Sequence, residues 1–552
     1  MTMKTVQIIE RLLALLYACF ENLIHGGIIF GWPSLVFVFI QLGYFSELCS
    51  DTSANATSSL QLNTITDAQN LSKPGGVESC PEQESRLQLI FSVTVAVQAL
   101  CMFPVGFMFD YFGTRLSRVV MSIFMLIGYV LMAFSSPTYP ILVFPGTICF
   151  TIGGVIMLFS SMQIGNLFGG QKSTIITLIN SMYGGSVILL FIAKIVHDAG
   201  FSINLLFFIL AGSVVFLNIN TFLVLPTKYI PWPLPEGYRL ITCCTPRTPT
   251  EATEDCAYDN QGYAEDPFSE VVGVNEYSRR TSVGSTRRKS STYEGRRMSL
   301  SIAMDTKSET VDGGISEAEE RKKKEYESLG SCLLSMPFWL ILLWQAFLEM
   351  DVLFTFGTLN FFLTRLSNGD EDLVSWYTNV FAITQFFTII VGPLGGLLMD
   401  RNSISMSCSK SKKPKDRGPY AEMRDSCLPL AITTVASIGY SICLLIPNLR
   451  LQYLTFIFIL VMKSLLFGVG SAVVAVVFPM KYFTSVYGAL RTISGLFTFL
   501  QYPIFILLRR YLDDDPFWVT IAFIIGDVFT FTLPAALYVL SKRKTSTDNN
   551  NK

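Results

Sequence analysis

The chain has 552 residues, of which 51% are hydrophobic and 15% are charged, and its formal net charge at pH 7 is -1. This is more apolar surface than a water-soluble protein of this size can bury in its core, so lipid is expected to cover the rest. The basic residues lie in loops beside apolar runs and follow no aromatic-interleaved surface stripe, so nucleic acid is not expected as a partner. The two histidines, His25 and His197, leave little room for a metal site or a catalytic triad, so we expect neither an enzyme nor a cofactor.

Twelve apolar windows follow along the chain, each long enough to cross a bilayer. The first is too long for the core of a signal peptide and is expected to remain as a helix. The windows cover residues 12–40, 87–109, 116–134, 141–164, 174–196 and 203–225, then 336–363, 376–399, 428–446, 451–478, 482–508 and 517–540. They predict an all-α membrane protein with six-helix halves at 1–225 and 336–541 and a tail at 542–552.

The region between the halves, residues 226–335, is rich in Ser, Thr, Glu, Arg and Gly, and it predicts a disordered cytoplasmic linker. Basic residues of the short loops fall on one side of the predicted bundle, which is therefore expected to be cytoplasmic together with both termini. They are Arg115, Arg118, Lys172, the cluster at 410–424, Lys481 and the tail at 542–544. A plasma-membrane location is expected.

Two parts of the chain carry modification signals. In the predicted extracellular loop, residues 41–86, the sequons at Asn55 and Asn70 predict glycosylation, the alternative being chance sequons that stay unmodified. Cys49 and Cys80 lie in the same loop and can form a disulfide if it is extracellular. In the linker, two arginines precede each of three serines at a spacing that basophilic kinases favour, so either phosphorylation or a plain solvated basic run is expected. The serines are Ser282, Ser290 and Ser299.

A repeated motif relates the two halves. The second window ends in Gly106-Phe-Met-Phe-Asp110-Tyr-Phe-Gly113-Thr-Arg115, and the eighth ends in Gly396-Leu-Leu-Met-Asp400-Arg401. A looser echo joins residues 166–169 to residues 478–483. Features at equivalent places in two six-helix halves predict pseudo-symmetry.

The first motif has a physical interpretation. Gly106 permits close helix approach, Gly113 permits a tight turn, and Asp110 with Arg115 places charges at a helix end. This resembles the signature loop of the major facilitator superfamily, which implies that Asp110 faces the N-terminus of a helix in the other half and locks the cytoplasmic gate. Ordinary helix capping by Asp110 is the alternative.

Longer stretches resemble solute carrier family 43 over nearly all the chain except the linker and the first extracellular loop. They are Gly31-Trp-Pro-Ser-Leu-Val-Phe-Val-Phe39, Gln163-Ile-Gly-Asn-Leu-Phe-Gly169, Ser173-Thr-Ile-Ile-Thr-Leu178, Tyr377-Thr-Asn379, Thr384-Gln-Phe386, Leu397-Leu-Met-Asp-Arg401 and Asp515-Pro-Phe-Trp518. Together with Gly357-Thr-Leu-Asn360, they look most like the equilibrative nucleobase transporter branch. The resemblance implies facilitated, sodium-independent movement of adenine, guanine and hypoxanthine. Glu349, Asp351 and Arg491, and the long linker, depart from that branch.

Polar residues within the spans are candidates for substrate contact or gating, because an ion at bilayer depth usually faces a partner or a wet cavity. Glu21 and Asn22 in the first window are one pair, with packing of Glu21 inside the bundle as the alternative. Trp32 can stack on a planar ring, although its place near a span end favours an interface anchor. The amides of Asn360 and Gln385 can serve the edge of a purine or bridge helices.

Two further basic residues have expected partners within the bundle. His25 is expected to pack. Lys463 is expected to pair with an acid, either Glu349 or Asp351.

These features together predict a carrier that works by alternating access on a small uncharged organic solute. A uniporter of large neutral amino acids is the nearest alternative, and a non-transporting receptor or scaffold is a distant one. Proton coupling through Glu21 or Asp351 stays open.

Overall fold

The computed structural model describes residues 3–49, 81–235, 238–240, 319–368, 370–408, 420–512 and 515–550. Within these ranges the regular structure is helical throughout, with no strand, and each of the twelve predicted windows coincides with a helical stretch. We number these stretches as spans 1 to 12. Large apolar side chains point outward from them, among them Ile209 and Phe216, which are 60% and 65% exposed. Lipid is the solvent that suits such a surface.

The helices of the first half are Met3–Glu21 and Trp32–Gln41 (span 1), Pro81–Phe134 (spans 2 and 3), Val143–Met162 (span 4), Lys172–Gly185 and Val187–Asp198 (span 5) and Ile203–Leu223 (span 6). Those of the second half are Met336–Leu366 (span 7), Glu371–Phe386 and Thr388–Cys408 (span 8), Cys427–Leu445 (span 9), Gln452–Val477 (span 10), Phe483–Phe497 and Gln501–Tyr511 (span 11), and Phe517–Thr530 and Thr532–Asn550 (span 12). Span 1 is interrupted between its helices by a π-helical turn at Asn22–Gly26 and a 3-10 turn at Ile28–Gly31.

By length and composition alone, seven described helical stretches, or eight with one bent pair, could cross a membrane. Two of the seven are 46 and 58 residues long, more than twice the ~20 that one crossing needs. Both contain a glycine in the left-handed region, Gly113 with φ +80° and Gly169 with φ +50°, where the chain turns. The count is compatible with the twelve predicted spans.

The linker is shorter than predicted. Ile230, near its start, is fully buried, and its carbonyl oxygen accepts a hydrogen bond of 2.9 Å from Asn166 Nδ2. Near its end, the Glu319 carboxylate accepts from the Met480 backbone N–H at 2.9 Å, and the Tyr326 ring lies 5.2 Å from that of Phe478.

The prediction of disorder over the whole of 226–335 is therefore wrong at both ends. A few apolar side chains pack these ends against the helices. They are too few to change the average composition of the linker, which therefore predicts disorder throughout. Residues 241–318, with Ser282, Ser290 and Ser299, lie outside the described residues, as do Asn55 and Asn70. Cys49 is held in a disulfide, whereas its expected partner Cys80 also lies outside them.

Candidate functional site

Asp110 joins the two halves at one end of the bundle. Its carboxylate accepts hydrogen bonds from Thr484 Oγ1, from the Ser485 backbone N–H at 2.7 Å and from Ser485 Oγ at 2.6 Å. Thr484 and Ser485 begin the helix of span 11, where backbone N–H groups lack intrahelical partners. Gly106, one turn earlier in span 2, touches the same residues so closely that a Cβ there would overlap the Thr484 carbonyl group.

Asp400 repeats this arrangement between spans 8 and 5. Its carboxylate accepts from the backbone N–H and the hydroxyl of Thr174, both at 2.8 Å. Thr174 lies in the first turn of the Lys172–Gly185 helix, and a Cβ on Gly396 would overlap it. We call the Asp110 and Asp400 contacts the two latches, and their end of the molecule the latch end; it is the end that the loop charges predict to be cytoplasmic.

The arginines of both motifs stay within their own halves. The Arg115 guanidinium lies 5.8 Å over the Phe222 ring, and its backbone N–H donates to the Thr227 carbonyl oxygen. Arg401 donates to the Asp425 carbonyl oxygen at 3.0 Å. The structure thus brings each aspartate, but neither arginine, against the opposite half.

Halfway along the spans, polar side chains from both halves meet. Gln98 Nε2 of span 2 donates to the Tyr183 hydroxyl of span 5 at 2.9 Å. On the other side, the Glu349 carboxylate of span 7 accepts from Arg491 at 2.6 Å and from Ser494 Oγ at 2.7 Å, both in span 11. Arg491 also interacts electrostatically with Tyr183 across the boundary between the halves.

The same face of span 7 carries a buried amide without a partner. Gln345 lies one turn before Glu349, is 1% exposed, and neither its oxygen nor its nitrogen has a hydrogen-bond partner in the described structure. A buried amide left unsatisfied costs about 1–3 kcal/mol per group, so Gln345 is a candidate for contact with water or a polar solute. Sequence reasoning missed Gln345, Gln98 and Tyr183, because single polar residues in apolar windows give no local signal.

Lys463 lies near the middle of span 10, in the helix Gln452–Val477. The expected pairing with Glu349 or Asp351 is wrong, because Glu349 is bound to Arg491, and Asp351 accepts from Ser437 and Ser441 at 3.4 Å each. Lys463 Nζ instead lies 3.5 Å from Gln385 Oε1 and 5.1 Å from the centre of the Phe356 ring. Whether two charges on different spans meet depends on how each helix is rotated about its axis, and the sequence spacing does not define that rotation.

The candidates in span 1 face their own half. Glu21 is bound to Arg118 at 2.6 Å, with both side chains 1% exposed, and Asn220 donates to the same carboxylate oxygen at 3.1 Å. Asn22 donates to Ser161 Oγ at 2.9 Å. This geometry favours a packing role for both residues over contact with substrate.

The remaining candidates have different outcomes. His25 Nδ1 lies 2.9 Å from the Tyr129 hydroxyl, which fits the expected packing role. Trp32 is 3% exposed, with its ring 6.3 Å from Phe91, so the interface anchor is wrong. Asn360 lies in span 7, but its side chain is outside the described structure.

The sequence matches the Major Facilitator Superfamily over residues 42–508. The chain belongs to this superfamily. Its match covers most of both six-helix halves, and the described helices agree with that all-helical fold.

Two named relatives align with almost the whole chain. Equilibrative nucleobase transporter 1 of Bos taurus is 28% identical over 536 residues, which is 97% of each chain. The large neutral amino acids transporter small subunit 3 of Homo sapiens is 25% identical over 560 residues, covering 95% of this chain and 93% of the relative. Among solved structures, a bacterial homologue of the iron transporter ferroportin in the outward-facing state has a TM-score of 0.45 and 10% identity, over 98% of this chain and 100% of that chain.

These relatives confirm the resemblance to the nucleobase and large neutral amino acid branches. The chain is a multi-pass membrane transporter of the major facilitator type and not an enzyme.

Proposed function

We propose that the protein is a facilitative, sodium-independent carrier of purine nucleobases such as adenine, guanine and hypoxanthine. The observation that carries the proposal is the mid-depth junction between the halves, where Tyr183, bonded to Gln98, interacts with Arg491 of the Glu349–Arg491 pair. An uncharged heterocycle needs both donors and acceptors at its edge, and amides and phenols provide both. The nucleobase relative, aligned over 97% of this chain, supports the same class of solute.

Alternating access would use the two latches. With Asp110 and Asp400 bonded across the halves, the latch end is held together; when both contacts break, the halves can rock about the central junction and open there. We infer that this end faces the cytoplasm of a plasma-membrane protein, as the loop charges indicate. No ion coupling is required for solute to move down its own gradient.

Large neutral amino acids are the second candidate. The specific observation in its favour is that Glu349 and Arg491 offer one group for an ammonium and one for a carboxylate. These two groups, however, are 2.6 Å apart and satisfy each other, and the side chains are 5% and 14% exposed. A zwitterion would first have to separate a buried pair, which costs several kcal/mol.

Uptake of labelled adenine and labelled leucine in one expressing cell line separates the two candidates. We expect saturable adenine uptake that is unchanged when sodium is replaced, and no saturable leucine uptake. Arg491→Gln should lower adenine uptake at least about tenfold, because it leaves the Glu349 carboxylate unpaired in the junction. Arg365→Gln is the matched control, since its 3.3 Å pair with Asp515 is half-exposed. Saturable leucine uptake without adenine uptake would refute the proposal.

A further inference from the structure

Lys463 is a cation halfway along span 10 that has no acidic partner among the described residues. No carboxylate oxygen in the described part of the chain lies within 4.0 Å of its Nζ. Of the two acids that the sequence suggests as partners, Glu349 pairs with Arg491. Asp351 accepts hydrogen bonds from Ser437 and Ser441. A charged side chain at this depth costs about 2.5–3.5 kcal/mol on insertion scales, and it usually faces a partner or a wet cavity. Lys463 is partly exposed, unlike most of its neighbours along span 10.

The neighbouring amide of Gln385 has a hydrogen-bond partner for its oxygen but none for its nitrogen in the described structure. Gln385 Oε1 accepts from Lys463 at 3.5 Å, whereas Gln385 Nε2 is buried and has no hydrogen-bond partner in the described structure. The acceptor of Gln385 is therefore engaged, and the groups left available here are N–H donors from Lys463 and Gln385. Thr388 and Ser464, which lie on the same two spans, bond to each other at 2.9 Å.

Aromatic rings border this pair of donors. Lys463 Nζ is 5.1 Å from the centre of the Phe356 ring, which meets the Phe381 ring edge to face at 5.2 Å. A planar ligand can pack its face against such side chains while its edge meets the donors. The site is thus complementary to a flat molecule with two adjacent hydrogen-bond acceptors on one edge.

We propose, resting on the function proposed above, that Lys463 and Gln385 select oxopurines by binding their acceptor edge. In guanine and hypoxanthine that edge consists of O6 and N7, two acceptors that match two donors. Adenine presents an N6 amino group beside N7, so one of the two donors of the site would face another donor instead of an acceptor. The carboxylate of an amino acid also offers two acceptors, so the test includes leucine.

The first measurement is competition for uptake of labelled hypoxanthine by the wild-type carrier. The guanine concentration that halves hypoxanthine uptake should be at least about tenfold below that of adenine. This is the ratio expected when one buried donor lacks an acceptor. Leucine should not compete. Equal competition by guanine and adenine would overturn the inference, while the purine function would stand.

The second measurement uses variants of both donors. Lys463→Met removes the cation at nearly constant volume, and Gln385→Glu replaces the free amide N–H groups with a carboxylate that can pair with Lys463. Both should reduce the preference for guanine over adenine to less than about threefold, with adenine competition retained. Lys542→Met, at an exposed lysine over the Tyr538 ring near the end of span 12, should keep the wild-type ratio.

Surface expression and elution of the purified protein as a single species show that each variant is folded. Because Gln385→Glu hardly changes side-chain size, it remains a test if Lys463→Met does not reach the membrane. An unchanged guanine preference in folded Lys463→Met or Gln385→Glu would overturn the inference. Leucine uptake without any purine uptake would instead overturn the proposed function, and the inference with it.

Discussion

Replacing Asp110 by asparagine should weaken the closed state of the latch end. The carboxylate accepts three hydrogen bonds from Thr484 and Ser485. Bonds to a charged group are worth about 1.5–3 kcal/mol and those to a neutral group about 0.5–1.5, so removing the charge at constant shape costs about 1 kcal/mol for each bond. The sum, about 2–3 kcal/mol, is a change of about 30- to 150-fold in the ratio of latched to unlatched molecules.

Hydrogen exchange of the purified protein in lipid nanodiscs measures this ratio. The backbone N–H groups of Ser485 and Thr174 lie in first helical turns, where no intrahelical acceptor protects them, and each donates instead to a latch aspartate. Their protection therefore reports whether a latch is closed. In Asp110→Asn, exchange of the Ser485 amide should accelerate because its own acceptor is weakened.

The decisive amide is that of Thr174, in the unaltered latch. If the halves rock as units, weakening the Asp110 latch also opens the Asp400 latch, and Thr174 exchange should accelerate by about the same factor. Asp515→Asn is the control, since Asp515 forms a half-exposed pair with Arg365 and should leave both amides unchanged. Faster exchange confined to Ser485 would refute coupling between the latches.

Three further substitutions test the architecture. Glu21→Gln should lower the free energy of unfolding by about 3–5 kcal/mol, because it leaves the buried Arg118 charge uncompensated. The KM of the carriers that remain folded should be unchanged. Thermal unfolding measures the first effect and solute uptake the second. Gly106→Ala should reduce transport at least about tenfold by preventing closure of the latch end, whereas Gly212→Ala, where a Cβ meets nothing within 4 Å, should be neutral. Ile230→Ala should cost about 2–4 kcal/mol of stability in a denaturation assay, and a loss under 0.5 kcal/mol would contradict the packed linker start.

The helices and the latch aspartates could be predicted because their signals are local. Each apolar window corresponds to a helical stretch, and Gly-x-x-x-Asp recurs at equivalent places in the two halves, so the sequence alone identifies both Asp110 and Asp400. The twofold relation between the latches follows from that repetition.

Contacts between distant residues could not be predicted in the same way. The charge of Arg118 predicts a cytoplasmic loop, yet the residue lies inside the first half, where Glu21 pairs with it. Lys172, for which the charge also predicts a loop, is buried with its Nζ 4.4 Å over the Trp232 ring. In both cases the partner lies tens of residues or more away, and only the packing of helices determines which charges meet.

Counterflow in proteoliposomes tests the central claim, that two rocking halves carry a purine base through the mid-depth junction. Vesicles containing the purified protein and excess unlabelled hypoxanthine are diluted into labelled adenine. A carrier that reorients with its substrate should show a transient accumulation of label above the equilibrium level, and internal leucine should give none. Label that only rises to equilibrium, or an overshoot driven by leucine and not by hypoxanthine, would contradict this account.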